Sequence, residues 1–139
     1  MRIHLPISFL LIVTCNFSFA QDLTGTWHGF QISRDKGHYQ EYRITVDLKL
    51  VDDNVSGTMQ LKSPLKGVIT TTFTGKLDKK ENLLYLKEDE IITEGVGAKD
   101  ATLCSYILSV GKNSLKGKGR SRFKGYDHLT LRLQRGANY

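Results

Sequence analysis

The strongest constraint on this chain is an alternation of apolar and polar residues with a period of two. In Glu41 to Leu50, "EYRITVDLKL", Tyr42, Ile44, Val46, Leu48 and Leu50 alternate with Glu41, Arg43, Thr45, Asp47 and Lys49. A helix would scatter these apolar residues around its axis. A strand puts all of them on one dry face and the polar residues on a wet one. After the turn "VDDN", Val55, Gly57, Met59 and Leu61 alternate with Ser56, Thr58 and Gln60, which predicts a hairpin. "GVITTTFTGKL" is rich in β-branched residues, with Ile69, Thr71 and Phe73 on one face. "LLYLKEDEII" also reads as a strand, but its faces stay open, since Leu83/Tyr85 and Leu84/Leu86 are both apolar pairs. Thr102, Cys104, Tyr106, Leu108 and Val110 share a face, as do Leu129, Leu131 and Leu133. With a first strand through "GTWHGFQIS", the count is about eight strands joined by short turns, and no stretch has a helical period. The expected fold is all-β: an antiparallel up-and-down barrel of about eight strands, with a β-sandwich as the alternative of equal strand count.

Residues 1–20, "MRIHLPISFLLIVTCNFSFA", read as a secretory signal peptide. Arg2 supplies the positive start, Pro6 to Val13 the apolar run, and Ser18-Phe19-Ala20 the small residues before a cut at Gln21. The run is too short to span a bilayer. A lipoprotein cut at Cys15 is the rival, but Ile12-Val13-Thr14 makes a poor recognition sequence for it. The expectation is therefore one domain over 21–139, exported to the periplasm or the exterior. Only Cys104 remains in that domain, so no internal disulfide is expected, and the thiol reads as a buried small apolar group.

The chain's formal net charge is +6, and residues 112–124 carry six cations and no acid. In "LKGKGRSRFKG", Lys116, Lys118, Arg120, Arg122 and Lys124 are all even-numbered, which is strand periodicity. They are expected to form an outward ladder, with Leu115, Gly117, Gly119 and Ser121 inward. Such a ladder is repulsive unless neighbouring acids or an anionic surface offset it. In an exported protein nucleic acid is not an expected partner.

Catalytic signatures are missing from the sequence. Nucleophile-elbow, phosphate-loop and dinucleotide glycine patterns do not occur. His28, His38 and His128 lack metal-ligand spacing, so neither a metal site nor a cofactor is expected. Glu88-Asp89-Glu90 reads as a solvated strand end, because adjacent strand residues point to opposite faces. The chain is not expected to be an enzyme.

Leu23-Thr24-Gly25-Thr26-Trp27 holds a Gly-x-Trp in the first strand. This resembles the signature of the lipocalins and the wider calycin barrels, and "LTGTW" is similar to the opening strand of the avidins. The resemblance implies that Trp27 closes the barrel floor beneath an arginine of the last strand, Arg132 first and Arg135 second. The chain lacks the other lipocalin motifs and the C-terminal helix of that family. Trp27 is its only tryptophan, and His28-Gly29 stands where avidins have polar ligand contacts, so biotin is not the implied ligand. Phe30 and Ile32 have the opposite parity to Trp27, and a bulge at Gly29 would turn both sets inward.

An inward set of Trp27, Tyr42, Ile44, Met59, Phe73, Tyr106 and Leu131 would suit an apolar small molecule or lipid, anchored by tyrosine hydroxyls. The alternative is a non-catalytic interaction protein. It would use the cationic strand, or the outward Leu103 and Ile107, to bind an anionic glycan or lipid surface or a protein partner.

Overall fold

A computed structural model describes residues 22–35, 37–64, 67–93, 102–122 and 128–136. The expected leader and Lys124 lie outside them. Eight strands follow one another: β1 (Gly25–Asp35), β2 (His38–Val51), β3 (Asn54–Ser63), β4 (Gly67–Asp78), β5 (Leu83–Ile91), β6 (Cys104–Val110), β7 (Ser114–Ser121) and β8 (Leu129–Arg135). Each pairs antiparallel with the next, and β8 returns to β1, from Trp27 opposite Arg135 to Ser33 opposite Leu129. The sheet is a closed barrel, so the sandwich alternative is set aside. No helix long and apolar enough to cross a membrane occurs among the described residues. The β2–β3 and β4–β5 turns each hold a left-handed residue, Asp52 (φ 55°) and Asn82 (φ 52°), types that tolerate this conformation.

Alternation sorts the side chains as the sequence predicts. Ile44, Val46 and Leu48 of β2, Ile69, Thr71 and Phe73 of β4, Cys104, Tyr106 and Leu108 of β6, and Leu129, Leu131 and Leu133 of β8 are buried. The undecided β5 places Leu84 and Leu86 inward and leaves Tyr85 exposed. In β7, Leu115, Gly119 and Ser121 are buried and Lys116, Lys118 and Arg120 are exposed. Gly119 faces Tyr106 across the ladder, and a Cβ there would stand 2.4 Å from the Tyr106 ring. The glycine is therefore a socket for that ring.

At one end the barrel is sealed. Trp27 is fully buried, and its indole N–H donates to the Leu23 carbonyl at 2.9 Å. That bond satisfies the one polar atom of the side chain and ties the segment before β1 beneath the floor. Leu50 N–H donates to Thr24 Oγ1 at 3.0 Å and fastens the same segment to β2. The guanidinium over Trp27 is that of Arg135, 4.7 Å from the ring centroid, and it also donates to the Asp22 carbonyl. The expected pairing of Trp27 with Arg132 is thus corrected. Arg132 alternates outward from the inward Leu131 and Leu133, whereas Arg135 has inward parity and directly faces Trp27.

The expected bulge at Gly29 is also absent. β1 keeps an unbroken register with both β2 and β8. Phe30 and Ile32 stay half-buried on the outer face, and Gln31 and Ser33 are turned inward and buried. The irregularity lies in β5 instead: Phe73 faces Glu88 while Thr72 faces Glu90, leaving Asp89 as the extra residue.

These parities set a contrast in stability. Arg135→Gln removes the cation over Trp27 and a tie to the N-terminal segment, and lowers stability by about 1 kcal/mol. Arg132→Gln stays within about 0.5 kcal/mol of the parent. Urea denaturation of the two variants checks it; equal losses would contradict the assignment.

Candidate binding pocket at the open end

The end opposite Trp27 is not filled. The second halves of β1, β3 and β5 and the first halves of β2, β4, β6 and β8 surround a cavity of about 150 Å³. A cavity of that size accommodates roughly one benzene ring. Its lining combines apolar groups (Ile44, Met59, Leu61, Ile69, Leu129) with polar ones (Gln31, Ser33, Gln40, Tyr42, Ser63, Thr71, Glu88, Thr102), and Cys104.

Glu88 is the chemical centre of this lining. It is 7 % exposed. Thr71 Oγ1 donates to one carboxylate oxygen at 2.7 Å, and the Cys104 backbone N–H donates to the other at 2.6 Å. Burial raises its pKa, against the lowering effect of the Thr71 and Cys104 donors and the Arg122 charge. The side chain also completes the wall. β5 and β6 stop pairing at Lys87 opposite Ser105. Beyond that point the Glu88 carboxylate takes the Cys104 N–H, and the Arg122 guanidinium donates to the Glu88 carbonyl. Side chains thus replace the missing rungs of the ladder.

Beside Glu88, the Cys104 thiol is pushed up to about 12 by burial and by the nearby carboxylate. The Tyr106 phenol is held well above its ordinary value, first by complete burial and then by Glu88. Gln31 Nε2 donates to the Tyr106 oxygen at 2.5 Å, across the interior from β1 to β6. Cys104 and Tyr106 stay neutral near pH 7, and burial disfavours the charged form of Glu88. The site offers hydrogen-bond acceptors and an apolar wall, not an activated nucleophile. No group of three or more His, Cys, Asp or Glu able to hold a metal occurs among the described residues.

The seven interior residues named from sequence separate into two groups. Tyr42, Ile44 and Met59 line the cavity, and the Tyr42 hydroxyl donates to Gln40 at the mouth. Trp27, Phe73, Tyr106 and Leu131 are buried in the packed core beneath it. None of the four is part of the lining. Gln31, Ser33, Thr71 and Glu88 were not among the seven. Glu88 corrects its reading as a solvated strand end; Asp89 and Glu90 are indeed exposed. Leu84, Leu86 and Glu88 follow one parity, so a decided face for β5 would have pointed to it. Among the cations, Arg122 is drawn off the outward ladder by its bond to Glu88.

Two outcomes are expected. Cys104 does not react with a thiol reagent in native protein at mildly alkaline pH and reacts fully in denaturant; rapid native labelling would contradict its burial. Glu88 keeps a proton in the folded chain that the unfolded chain has already released. Its contribution to stability is therefore greatest below about pH 4.5, where an ordinary glutamate titrates, and declines as pH rises toward the folded-state value. Glu88→Gln carries a pH-independent cost, because an amide cannot accept from both donors. It removes the decline, so the stability gap between parent and variant narrows with rising pH. Urea unfolding across that range reads it, and a gap that widens would refute it.

No protein-family model matches this chain, and no curated protein matches it. Among solved structures, the crystal structure of Rv2717c from M. tuberculosis is similar, with a TM-score of 0.50 and 15 % sequence identity, covering 83 % of this chain and 93 % of that one. At this identity the likeness is one of fold, a β-barrel of the same class.

Proposed function

We propose that the chain is an exported, non-catalytic barrel that binds a small molecule in its open half. The observation that carries this reading is the unequal filling of the interior. Large side chains pack one half solid around Trp27, while the other half keeps a cavity of about 150 Å³ with a buried carboxylate in its wall. Packed interiors seldom leave such a volume unfilled, and concave sites of mixed lining are the usual form of ligand pockets.

Volume and lining also refine the ligand class expected from sequence. A long acyl chain does not fit within this volume. A ligand the size of one substituted ring does, with an apolar body against Ile44, Met59 and Ile69. A hydrogen-bond donor on it would meet Glu88, Ser33 or Gln31. Export rests on the leader-like residues 1–20.

Thermal-shift and ligand-observed NMR screens of single-ring compounds, with and without N–H or O–H donors, test the proposal. Donor-bearing compounds are expected to raise the melting temperature; saturation at about 100-fold over Kd corresponds to about 2.7 kcal/mol of stabilisation. Ser33→Leu, which fills the cavity from β1, abolishes the shift. A shift that survives Ser33→Leu unchanged, or a screen without any binder, would overturn the reading.

A further inference from the structure

The outer wall carries a second concave feature, unrelated to the pocket. Across β4 to β7 one row of the sheet reads Lys76, Tyr85, Ile107, Lys118, each residue paired with the next. The adjacent row reads Thr74, Lys87, Ser105, Arg120. Tyr85 and Ile107 are 42 % and 52 % exposed, among the most exposed large apolar side chains described. They lie at the centre of an open groove of about 770 Å³, bordered by Lys76, Lys87, Lys118 and Arg120 and, among the described residues, by no acid.

This arrangement is costly for a strand surface in water. Among the described residues, no acid is paired with the β7 cations across the sheet: Lys116 lies between Ser109 and Arg132, Lys118 between Ile107 and Thr130, and Arg120 opposite Ser105. On the β5 outer face Asp89 accepts from the Thr74 hydroxyl at 2.9 Å, at the β4 end of the second row and away from the β7 cations. The salt bridge found among the described residues, Lys79 to Asp53 at 3.2 Å, joins two turns elsewhere. Nor do the cations guard a strand edge, since β7 is paired on both sides.

We propose that this β4–β7 face docks the protein on an anionic lipid surface. Charge complementarity selects a negatively charged partner, and the exposed apolar pair selects among such partners. A soluble polyanion would pair with the four cations and leave Ile107 and Tyr85 in water. A bilayer interface takes both: lipid phosphates meet the lysine and arginine heads, and the aromatic and aliphatic side chains enter the headgroup boundary. The barrel then lies on its side wall, with its open end free.

Flotation with vesicles of phosphatidylcholine, with and without about 30 % phosphatidylglycerol, tests this. Binding is expected with the anionic vesicles only, and weakens as salt shortens the Debye length from about 10 Å toward 3 Å. The double variant Lys118→Gln/Arg120→Gln loses more than about tenfold in partitioning, at roughly fivefold for each cation. Ile107→Ser loses several-fold, whereas Arg43→Gln, on β2, changes little. All four positions are exposed, and unchanged urea midpoints certify the fold. Equal binding to neutral vesicles would overturn the proposal. So would heparin binding that equals vesicle binding and ignores Ile107→Ser, which would assign the face to a soluble polyanion.

Discussion

The pairing of β8 with β1 is the constraint on which the remaining features depend. Seven registered residue pairs, from Trp27–Arg135 to Ser33–Leu129, join the ends of the meander. Closure removes every edge and fixes the circumference at eight strands, which leaves an interior only a few side chains wide. From then on, the size of the inward residue at each level decides whether that level is filled. Around Trp27 the inward residues are leucine, valine and phenylalanine, and the space is occupied. Near Ser33, Ser63 and Thr71 they are short, and space remains.

The open end also shows how a polar site is made compatible with a sheet wall. An interior carboxylate is costly unless its oxygens are occupied. Here they are, by a threonine hydroxyl and by a backbone N–H that lost its partner when β5 and β6 separated. The same separation frees the Glu88 carbonyl, which Arg122 covers. The bulge at Asp89 completes the arrangement. It turns Asp89 and Glu90 to solvent and lets Ile91 face Thr71, so a single acid of the three enters the barrel. Wall defect and pocket chemistry arise from one local feature.

Most of the architecture was legible because period-two alternation is a direct consequence of strand geometry. β2, β3, β6 and β8 show it cleanly, and their inward faces follow residue by residue. The glycine spacing of β7 foretold its inward small positions, and Gly119 gives the reason at one of them. Legibility failed where both parities are apolar or where the deciding contact is distant. In β5, Leu83 through Leu86 allow either face, and the burial of Glu88 was hidden by that ambiguity. In β1, the apolar Phe30 and Ile32 argued for a bulge, yet the ladders on both sides hold the strand in step and turn Gln31 and Ser33 inward. The parity of "LTLRLQR" already turns Arg132 outward with Leu129, Leu131 and Leu133 inward, but the register that sets Arg135 opposite Trp27 is not encoded locally. The cavity follows from the summed volumes of residues on seven strands, which no single segment displays.

The unbroken register of β1 has an evolutionary corollary. The strand carries two linings in one sequence: Gln31 and Ser33 on the face now inside, Phe30 and Ile32 on the face now outside. Because the side-chain period is two, inserting one residue near Gly29 would exchange them. A single-codon insertion could thereby convert a hydrogen-bonding chamber into a greasy one while the other seven strands kept their places. The lining of the open end would then change in one step, through register rather than through accumulated substitutions.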